Sequence, residues 1–420
     1  MSYFSQKFAK YTVYTFQKIQ YNGNVRVCDF RSVQLQSKGE IHLEIYLDNS
    51  ATTVVCPEAA EAAMLAMTDN YGNPSALHSN GVRAKQLLET SRQQVADALC
   101  VLPEEVYFAH SGTLANNTAI LAAVNMRRRR GNRIITSSVE HPSVARVIDE
   151  LERNGYDVVR LKPRLDGAVA HEDIVNAIND KTILVSLMYV NNETGAINPV
   201  EGIRKAVKAA HSVAMIHVDA IQAFGKMPVK PHKIGADFLT ISGHKVHAPK
   251  GVGALYVRKG LIPPCYVFGG GQENGLFSGT ENMPAIAGFG AAAAALPDPS
   301  ASLRQMKKLR TRLLTKLSEV PTILINSPEN GLPNIINMSV LGTPSQVLVN
   351  FFSERGICVS AGSACKKGHR SEVLTQLDFT PIRIDSAIRV SMSRYTTEED
   401  IDRFAEAAVQ AADMLRVKEF

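Results

Sequence analysis

The chain has 420 residues, of which 45% are hydrophobic and 20% are charged. This length and composition predict a soluble globular protein of two or three domains, and they exclude a disordered chain and a small disulfide-held scaffold. The formal net charge is +6, and residues 1–45, with six Lys/Arg against three Asp/Glu, account for +3 of it. The rest is only mildly basic, so we expect no direct nucleic-acid partner. Four consecutive arginines, 127–130, follow an apolar-periodic segment, and we interpret them as the last turn of a helix rather than as a nucleic-acid patch.

Residues 1–45 are rich in Lys, Gln, Tyr and Ser and lack the apolar h-region of a secretory signal peptide. An organellar presequence, a mis-assigned start and a disordered extension remain open for this segment, which we expect to be poorly ordered. The protein is accordingly expected in the cytoplasm, or in an organelle if the segment is a presequence. The longest uncharged apolar stretch, 285–296, is too short to cross a bilayer, so no membrane association is expected.

Helical and strand-like patterns alternate from residue 81 onwards. The spacing of apolar residues predicts an amphipathic helix over 81–99. Seven short apolar runs follow, interleaved with helical patterns, and they predict an α/β fold with a mostly parallel seven-stranded sheet covered on both faces. The runs are Val106–Phe108, Ile134–Ile135, Val158–Leu161, Ile183–Leu187, Met215–Val218, Phe238–Ile241 and Ala254–Val257.

The pattern changes after about residue 297 to that of a smaller α+β domain. Apolar residues at helical spacing predict a long helix over 303–317, and strands are predicted at 335–340 and 388–392. The last helix is expected to begin with a capping box of Thr396 and Glu399. We therefore divide the chain into an N-terminal extension (1–45), a segment that packs with the small domain (46–60), a large ligand-binding domain (61–296) and a small domain (297–420).

Polar residues follow several of the apolar runs, at the strand ends where ligands bind in open α/β sheets. Ser111-Gly112-Thr113 can cradle a phosphate with backbone N–H groups and a hydroxyl, although a simple helix cap has the same pattern. His141 can stack on a planar ligand or transfer protons, or it can satisfy a loop. The segment 191–195, which contains Asn192, supplies amide donors and is also typical of a turn.

Two further strand ends carry a carboxylate and a lysine. Asp219 follows one run, with Gln222 three residues later, and a carboxylate under a heteroaromatic nitrogen keeps that nitrogen protonated. Lys245 lies in the turn Ser242-Gly243-His244-Lys245, where it can form a Schiff base, although a lone lysine in a turn is usually solvated. Arg389, in a predicted strand, can clamp a substrate carboxylate or form a structural ion pair. The ordered set of such residues at strand ends is hard to explain by chance.

The six cysteines are scattered and include no C-x-x-C pair, which favours a reducing compartment over a secreted, disulfide-held protein. Cys365 lies in a loop of small residues, and the adjacent Lys366, Lys367 and His369 favour its thiolate form. We therefore expect Cys365 to be the reactive thiol. The other cysteines are Cys28, Cys56, Cys100, Cys265 and Cys358.

From Tyr46 to the C-terminus the chain strongly resembles the NifS/IscS-like cysteine desulfurases, which are pyridoxal phosphate enzymes of aminotransferase fold type I. The resemblance implies a large cofactor-binding domain and a smaller α+β domain, with no intrinsic metal. It rests on Leu47-Asp48-Asn49-Ser50-Ala51-Thr52-Thr53, Gly72-Asn73-Pro74-Ser75, His78, Glu140-His141, Asn191-Asn192-Glu193, the Asp219/Gln222 pair, Ser242 to Lys245, Pro249-Lys250-Gly251, Gly279-Thr280-Glu281-Asn282 and Ser363-Ala364-Cys365.

The resemblance implies roles in binding the pyridoxal 5'-phosphate ring. Lys245 would hold the cofactor as a Schiff base and shuttle protons, and His141 would stack on the ring and assist acid-base steps. Asp219 would pair with the pyridinium nitrogen. Gln222 and Asn192 would contact the ring oxygen or the substrate.

Further roles concern the phosphate, the substrate and the sulfur. Thr113, Ser242 and His244 would bind the phosphate, joined by Thr280 from the second subunit of a homodimer. Arg389 would grip the carboxylate of L-cysteine. Cys365 would take the sulfur as a persulfide, releasing alanine, and would pass it to an acceptor protein such as an iron-sulfur scaffold or a tRNA-thiolation enzyme. Cys365 would contact an iron-sulfur cluster only during this transfer.

The sequence departs from the family pattern at a few positions. Leu114 stands where a glutamate usually follows the phosphate threonine, Phe277 where an arginine is common, and Lys366-Lys367 where small hydroxyl residues usually follow the cysteine. Two alternatives to a cysteine desulfurase stay open: a selenocysteine lyase or other pyridoxal phosphate lyase, and a catalytically silent sulfur-assembly subunit. The intact Lys245, Asp219 and Cys365 argue against the silent subunit.

Overall fold

The computed structural model describes residues 44–361 and 370–415 with their side chains. Before residue 44 it describes the backbone of five short strands, of which β4 pairs antiparallel with β1 and β5, and β2 with β3. They are β1 (Thr12–Val13), β2 (Lys18–Tyr21), β3 (Asn24–Val27), β4 (Val33–Leu35) and β5 (Ile41–Leu43). The expectation that residues 1–45 are poorly ordered stays a prediction.

The central sheet contains seven strands, one for each predicted apolar run. They are β7 (Val106–Ala109), β8 (Arg133–Ser137), β9 (Asp157–Leu161), β10 (Thr182–Met188), β11 (Met215–Asp219), β12 (Phe238–Ser242) and β13 (Gly253–Val257). Their order is β7-β13-β12-β11-β10-β8-β9; β13 is antiparallel to β12 and β7, and the other neighbours are parallel. The central strands β10–β13 are buried along their whole length, as a sheet covered on both faces requires. The predicted α/β fold is therefore confirmed.

Helices flank this sheet. They are α1 (Pro57–Thr68), α2 (Ser79–Leu99), α3 (Gly112–Arg127), α4 (Pro142–Arg153), α5 (His171–Ala177), α6 (Ile203–Ala209), α7 (Pro231–Ile234) and α8 (Met283–Ala294). The helix predicted at 81–99 begins at Ser79, because the His78 side chain accepts the Gly81 N–H and caps it. Helix α3 ends at Arg127, so the interpretation of the arginine run as a helix end is confirmed. Within the described ranges, no helix is long and apolar enough to span a bilayer.

The C-terminal part has a separate core. Ile45 and Leu47, near the start of the described residues, pack in it with side chains of the C-terminal helices and strands. This packing supports the division into a large and a small domain, which stays a proposal. The elements are β6 (Ile45–Tyr46), α9 (Pro299–Leu317), β14 (Ile323–Ile325), β15 (Ile335–Val340), α10 (Ser345–Ser353), β16 (Ile357–Cys358), α11 (Glu372–Gln376), α12 (Pro381–Asp385), β17 (Ala387–Ser391) and α13 (Glu398–Met414). β15 pairs antiparallel with β14 and β17, and β16 pairs parallel with β6.

The predicted capping box of the last helix is wrong by one residue. Thr397 caps α13: its Oγ1 accepts the Asp400 N–H, and the Asp400 carboxylate accepts the Thr397 N–H. Thr396 is buried and its hydroxyl oxygen accepts the Ser393 N–H instead. Thr396 and Thr397 are each followed three residues later by an acidic residue, so the sequence fits a capping box at either position. The turn at Ser393 engages the Thr396 hydroxyl and leaves Thr397 as the cap.

Candidate active site

A cavity of about 760 Å³ lies beyond the carboxyl ends of the parallel strands β8, β10, β11 and β12. Its lining combines residues of the central sheet with Arg389 of β17 and with the segment after β6, which contributes Ser50, Ala51 and Thr52. The structure brings together most of the predicted site residues at this cavity. Those that line it are Thr113, His141, Asn192, Asp219, Gln222, Ser242, His244, Lys245 and Arg389.

Asp219 ends β11 and is 5% exposed. Its Oδ2 accepts a hydrogen bond of 2.8 Å from Asn116 Nδ2, and its Oδ1 accepts the Ile221 N–H at 3.0 Å. Burial raises the pKa of Asp219, whereas these donors and the neighbouring His141 and Lys245 act in the opposite direction. The result is a buried carboxylate that a facing cation would stabilise strongly. Asn116 was missed by the sequence analysis, although its position one helical turn after Thr113 is a usable signal.

His141 caps helix α4. Its Nδ1 accepts the Ser143 N–H at 3.1 Å and lies 2.8 Å from Ser143 Oγ. Because a backbone N–H points at Nδ1, the proton of the neutral ring belongs on Nε2. Burial, together with the positive charge of Lys245, lowers the pKa of His141, so the ring is neutral at physiological pH.

Glu140, beside His141, is a buried carboxyl that the resemblance included but to which the sequence analysis assigned no role. It accepts hydrogen bonds from Ser137 Oγ at 2.5 Å and from the Met188 N–H at 3.0 Å, and so joins the ends of β8 and β10. Burial raises the pKa of Glu140 to about 8. This link holds the turn that presents His141.

Lys245 ends a short 3-10 turn, Gly243–Lys245, directly after β12. Its Nζ donates hydrogen bonds to the carbonyl oxygens of Ser50 at 2.6 Å and Ala51 at 2.7 Å. The lysine is therefore held within the cavity by a segment about two hundred residues away in sequence. The adjacent His244 contacts Thr52 Oγ1, and burial with the surrounding lysines lowers its pKa to about 4.

The start of α3 forms a tight backbone cradle. Ser111 Oγ accepts the Leu114 N–H and acts as the helix cap, so the cap interpretation of this motif is confirmed. A Cβ atom at Gly112 would lie 2.6 Å from Ile221 Cδ1, so a larger residue here would require the Ile221 side chain to move. The exposed Thr113 and the free helix N-terminus face the same cavity, where they can bind an anion.

Arg389 joins the two cores at the cavity. Its Nη1 donates to the Asn192 carbonyl at 2.9 Å and its Nη2 to Asp48 Oδ1 at 2.8 Å. The ion pair that the sequence left open is therefore present. Arg389 Nε is nevertheless buried without a partner among the described residues, which leaves one donor for a ligand.

Among the described residues, one predicted site residue is not brought to this cavity. Thr280 is exposed and does not line it, as expected for a residue predicted to act in a second subunit. Cys365 and its neighbours Lys366 and Lys367 lie outside the described residues. The departures Leu114 and Phe277 both join one hydrophobic cluster, Phe277 fully buried and Leu114 packed against it.

Comparison with known proteins identifies the family. The aminotransferase class-V family model matches residues 45–404. A cysteine desulfurase from Trichormus azollae is 41% identical over 89% of this chain and 94% of its own length, and the cysteine desulfurase IscS of Methanosarcina thermophila is 37% identical over 93% and 96%. A solved NifS-like protein superposes with a TM-score of 0.83 at 34% identity, covering 89% of this chain and all of its own. The chain therefore belongs to the class-V aminotransferases and, within them, to the NifS/IscS-like cysteine desulfurases.

Proposed function

We propose that this chain is a pyridoxal-phosphate-dependent cysteine desulfurase that converts L-cysteine to L-alanine and transfers the sulfur to Cys365 as a persulfide. The observation that carries the proposal is the convergence of Lys245, His141 and Asp219 on one cavity. The relatives named cysteine desulfurase support the same activity. Iron-sulfur cluster assembly or tRNA thiolation is the proposed use of the sulfur.

The residues around the cavity fit pyridoxal phosphate. Asp219 offers a buried carboxylate for the ring nitrogen, Lys245 an amine for the aldehyde, and the start of α3 N–H donors for the phosphate. Ser50 Oγ and Thr136 Oγ1 line the cavity and are buried without a partner among the described residues, which indicates room for a polar ligand. The remaining proposed contacts are His141, Asn192, Gln222, Ser242 and His244.

When bound, the cofactor supplies an electron sink that stabilises negative charge at the substrate Cα and weakens the carbon–sulfur bond. Asp219 keeps the pyridine nitrogen protonated, because a carboxylate in a low-dielectric site stabilises a facing cation. Lys245 Nζ moves protons to and from the substrate carbons, and the Ser50 and Ala51 carbonyls hold it in reach. His141 carries its transferable proton on Nε2.

The sulfur step belongs to Cys365. Its thiolate attacks the substrate sulfur, so a sulfur–sulfur bond forms while the carbon–sulfur bond breaks. The carbon keeps the bonding electron pair and takes a proton, which gives the methyl group of alanine. Lys366 and Lys367 favour the thiolate by their charge.

Arg389 is the proposed carboxylate clamp. A substrate carboxylate can accept the unpaired Nε–H and compete with Asp48 for Nη2, which gives a bidentate contact. In the homodimer that we propose, Thr280 contacts the phosphate bound in the partner's cavity. Its exposure in the single chain is consistent with that role.

The test supplies L-cysteine to protein purified with pyridoxal phosphate. We expect alanine in stoichiometric amount and a persulfide on the peptide that contains Cys365, detected by mass spectrometry. Cys365→Ala should abolish the persulfide and slow alanine formation about 100-fold or more. As a control, Cys100→Gly removes an exposed thiol whose φ of 56° suits glycine, and it should leave activity intact.

Full sulfide production by Cys365→Ala would contradict the persulfide step. Faster turnover of selenocysteine than of cysteine would instead identify a selenocysteine lyase. Protein without a near-visible absorbance band after addition of pyridoxal phosphate would favour a silent sulfur-assembly subunit.

A further inference from the structure

A second lysine lies behind Lys245. After β11 the chain continues in consecutive turns, with hydrogen bonds from Phe224 N to the Ala220 carbonyl and from Met227 N to the Ala223 carbonyl. These turns place Lys226 four residues after Gln222 on the same face, and Lys226 Nζ donates to Gln222 Oε1 at 2.9 Å. Lys226 and Lys245 also line one small cavity.

This contact fixes the orientation of the Gln222 amide. Lys226 Nζ is the donor in this contact, so the amide atom that faces it is Oε1. Nε2 then lies on the other side, where it donates to the Ser50 carbonyl at 3.0 Å. If the amide were flipped, its Nε2 donor would face the Lys226 Nζ donor, and its Oε1 would face the Ser50 carbonyl oxygen. The amide nitrogen carries two N–H groups, so one remains for an acceptor in the main cavity, which Gln222 lines.

The surroundings of Lys226 disfavour the positively charged form of its side chain. Burial and the positive charges of Lys245 and Arg389 lower the pKa of Lys226 to about 7, and Lys226 itself contributes to the lowered pKa of His244 and His247. Among the described residues, no carboxylate forms an ion pair with it. The half-buried Lys226 therefore lacks a counter-ion among the described residues, and its hydrogen bond to Gln222 Oε1 is the polar contact that holds it.

We propose that Lys226 is a positioning residue, which holds the Gln222 amide with one N–H available to the ring oxygen of pyridoxal phosphate. The inference rests on the proposed function and deepens it, because Lys226 does not itself line the main cavity. Gln222 makes the contact, and Lys226 sets which amide atom makes it. The role therefore requires a donor at position 226, whether lysine or arginine.

The first test compares Lys226→Met with Lys226→Arg in the full chain. The dissociation constant of pyridoxal phosphate is measured by equilibrium dialysis, and the near-visible band of the loaded protein is titrated with pH. Lys226→Met should weaken binding about tenfold and move the midpoint of the titration, because a hydrogen bond to a charged group is lost. Lys226→Arg should restore both. Lys230→Met, which changes an exposed lysine nearby, should behave as the wild type.

A double-mutant cycle with Gln222→Ala separates positioning from direct electrostatics. If Lys226 acts through Gln222, Lys226→Met has no further effect on binding or on the titration in the Gln222→Ala background. Additive effects would overturn the proposal, since Lys226 would then act by its charge on Lys245. Failure of Lys226→Arg to restore the wild-type values would also overturn it.

Folding and cofactor binding are checked separately. Thermal unfolding without cofactor should show little change in Lys226→Met, because removal of a half-buried charge without a counter-ion offsets the hydrogen bond lost at Gln222 Oε1. If Lys226→Met does not fold, Lys226→Leu, which likewise lacks a donor, takes its place in the same cycle. Wild-type protein that binds no pyridoxal phosphate would refute the proposed function, whereas binding that is equal in wild type and Lys226→Met would refute only this inference.

Discussion

Asp219, the last residue of β11, and Asp237, directly before β12, are buried carboxylates whose partners differ in charge. Asp237 pairs with the side chains of Arg204 and Arg258 and accepts the Ile216 N–H, so its charge is neutralised within the fold. Asp219 is held by neutral donors, Asn116 and the backbone of Ile221. An anion that the fold does not neutralise is suited to a cationic ligand.

Replacing each carboxylate by its amide should distinguish a carboxylate needed for catalysis from one needed for the stability of the fold. Asp219→Asn should lower kcat/KM for alanine formation about 100-fold, because an amide cannot keep the pyridine nitrogen protonated, with little change in thermal unfolding. Asp237→Asn, the matched control, should lower the free energy of unfolding by about 2 kcal/mol and keep kcat. Desulfurase activity in Asp219→Asn close to that of wild type would remove Asp219 from the proposed mechanism.

At the scale of elements, the start of α3 depends on β13. A Cβ atom on Gly253 would lie 2.8 Å from both Gly112 N and Ser111 C, and 2.9 Å from the Ile241 carbonyl oxygen. These are backbone atoms, which cannot rotate away as a side chain can. The absence of a side chain at Gly253 therefore lets the strand pack directly against the helix terminus.

Gly253→Ala should displace the start of α3 and weaken binding of pyridoxal phosphate about tenfold or more, while lowering stability by about 1–3 kcal/mol. Gly260→Ala is the matched control, since a Cβ there meets nothing within 4 Å but its φ of 86° strains an alanine. It should lower stability by about 1 kcal/mol without changing cofactor affinity. Equal affinities in the two variants, measured by equilibrium dialysis, would show that β13 does not position the cradle.

At the scale of the whole molecule, the loop after β10 connects the two cores. The Thr194 carbonyl accepts Ser327 Oγ–H, and Glu193 Oε2 accepts Ser371 Oγ–H at 2.5 Å. Burial raises the pKa of Glu193 to about 7 from an ordinary value of 4.5. The folded protein thus binds a proton at Glu193 more tightly than the unfolded chain, so stability falls as the pH rises from about 4.5 to about 7.

Glu193→Gln should remove this pH dependence, because glutamine is neutral throughout and its Oε1 still accepts from Ser371. We expect the variant to exceed wild type in free energy of unfolding by about 2 kcal/mol at pH 8 and to match it near pH 4. Denaturant titrations at both pH values provide the measurement, with the exposed Glu201→Gln as control. A Glu193→Gln variant less stable than wild type at pH 8 would show that the carboxylate form is the favoured one.

The sheet and most of the cavity could be predicted from sequence because both depend on short-range pattern. Short, mostly apolar runs such as Ile183–Leu187 identify buried parallel strands, and the topology of such sheets then brings Asp219 and Lys245 to one edge. The features of the site that the sequence did not predict depend on contacts between segments that are distant in sequence. The carbonyls that hold Lys245 and the contact of Glu140 with the Met188 N–H leave no local signature.

The hydrogen bonds from Lys245 to the Ser50 and Ala51 carbonyls carry a consequence for biosynthesis. The segment that precedes those carbonyls packs through Ile45 and Leu47 against side chains of α13. This core can form only after the ribosome has synthesised nearly the whole polypeptide. An incomplete nascent chain would hold the Lys245 amine, which we propose to be catalytic, without this anchor. We therefore expect truncated chains that end before α13 to show no activity on free cysteine.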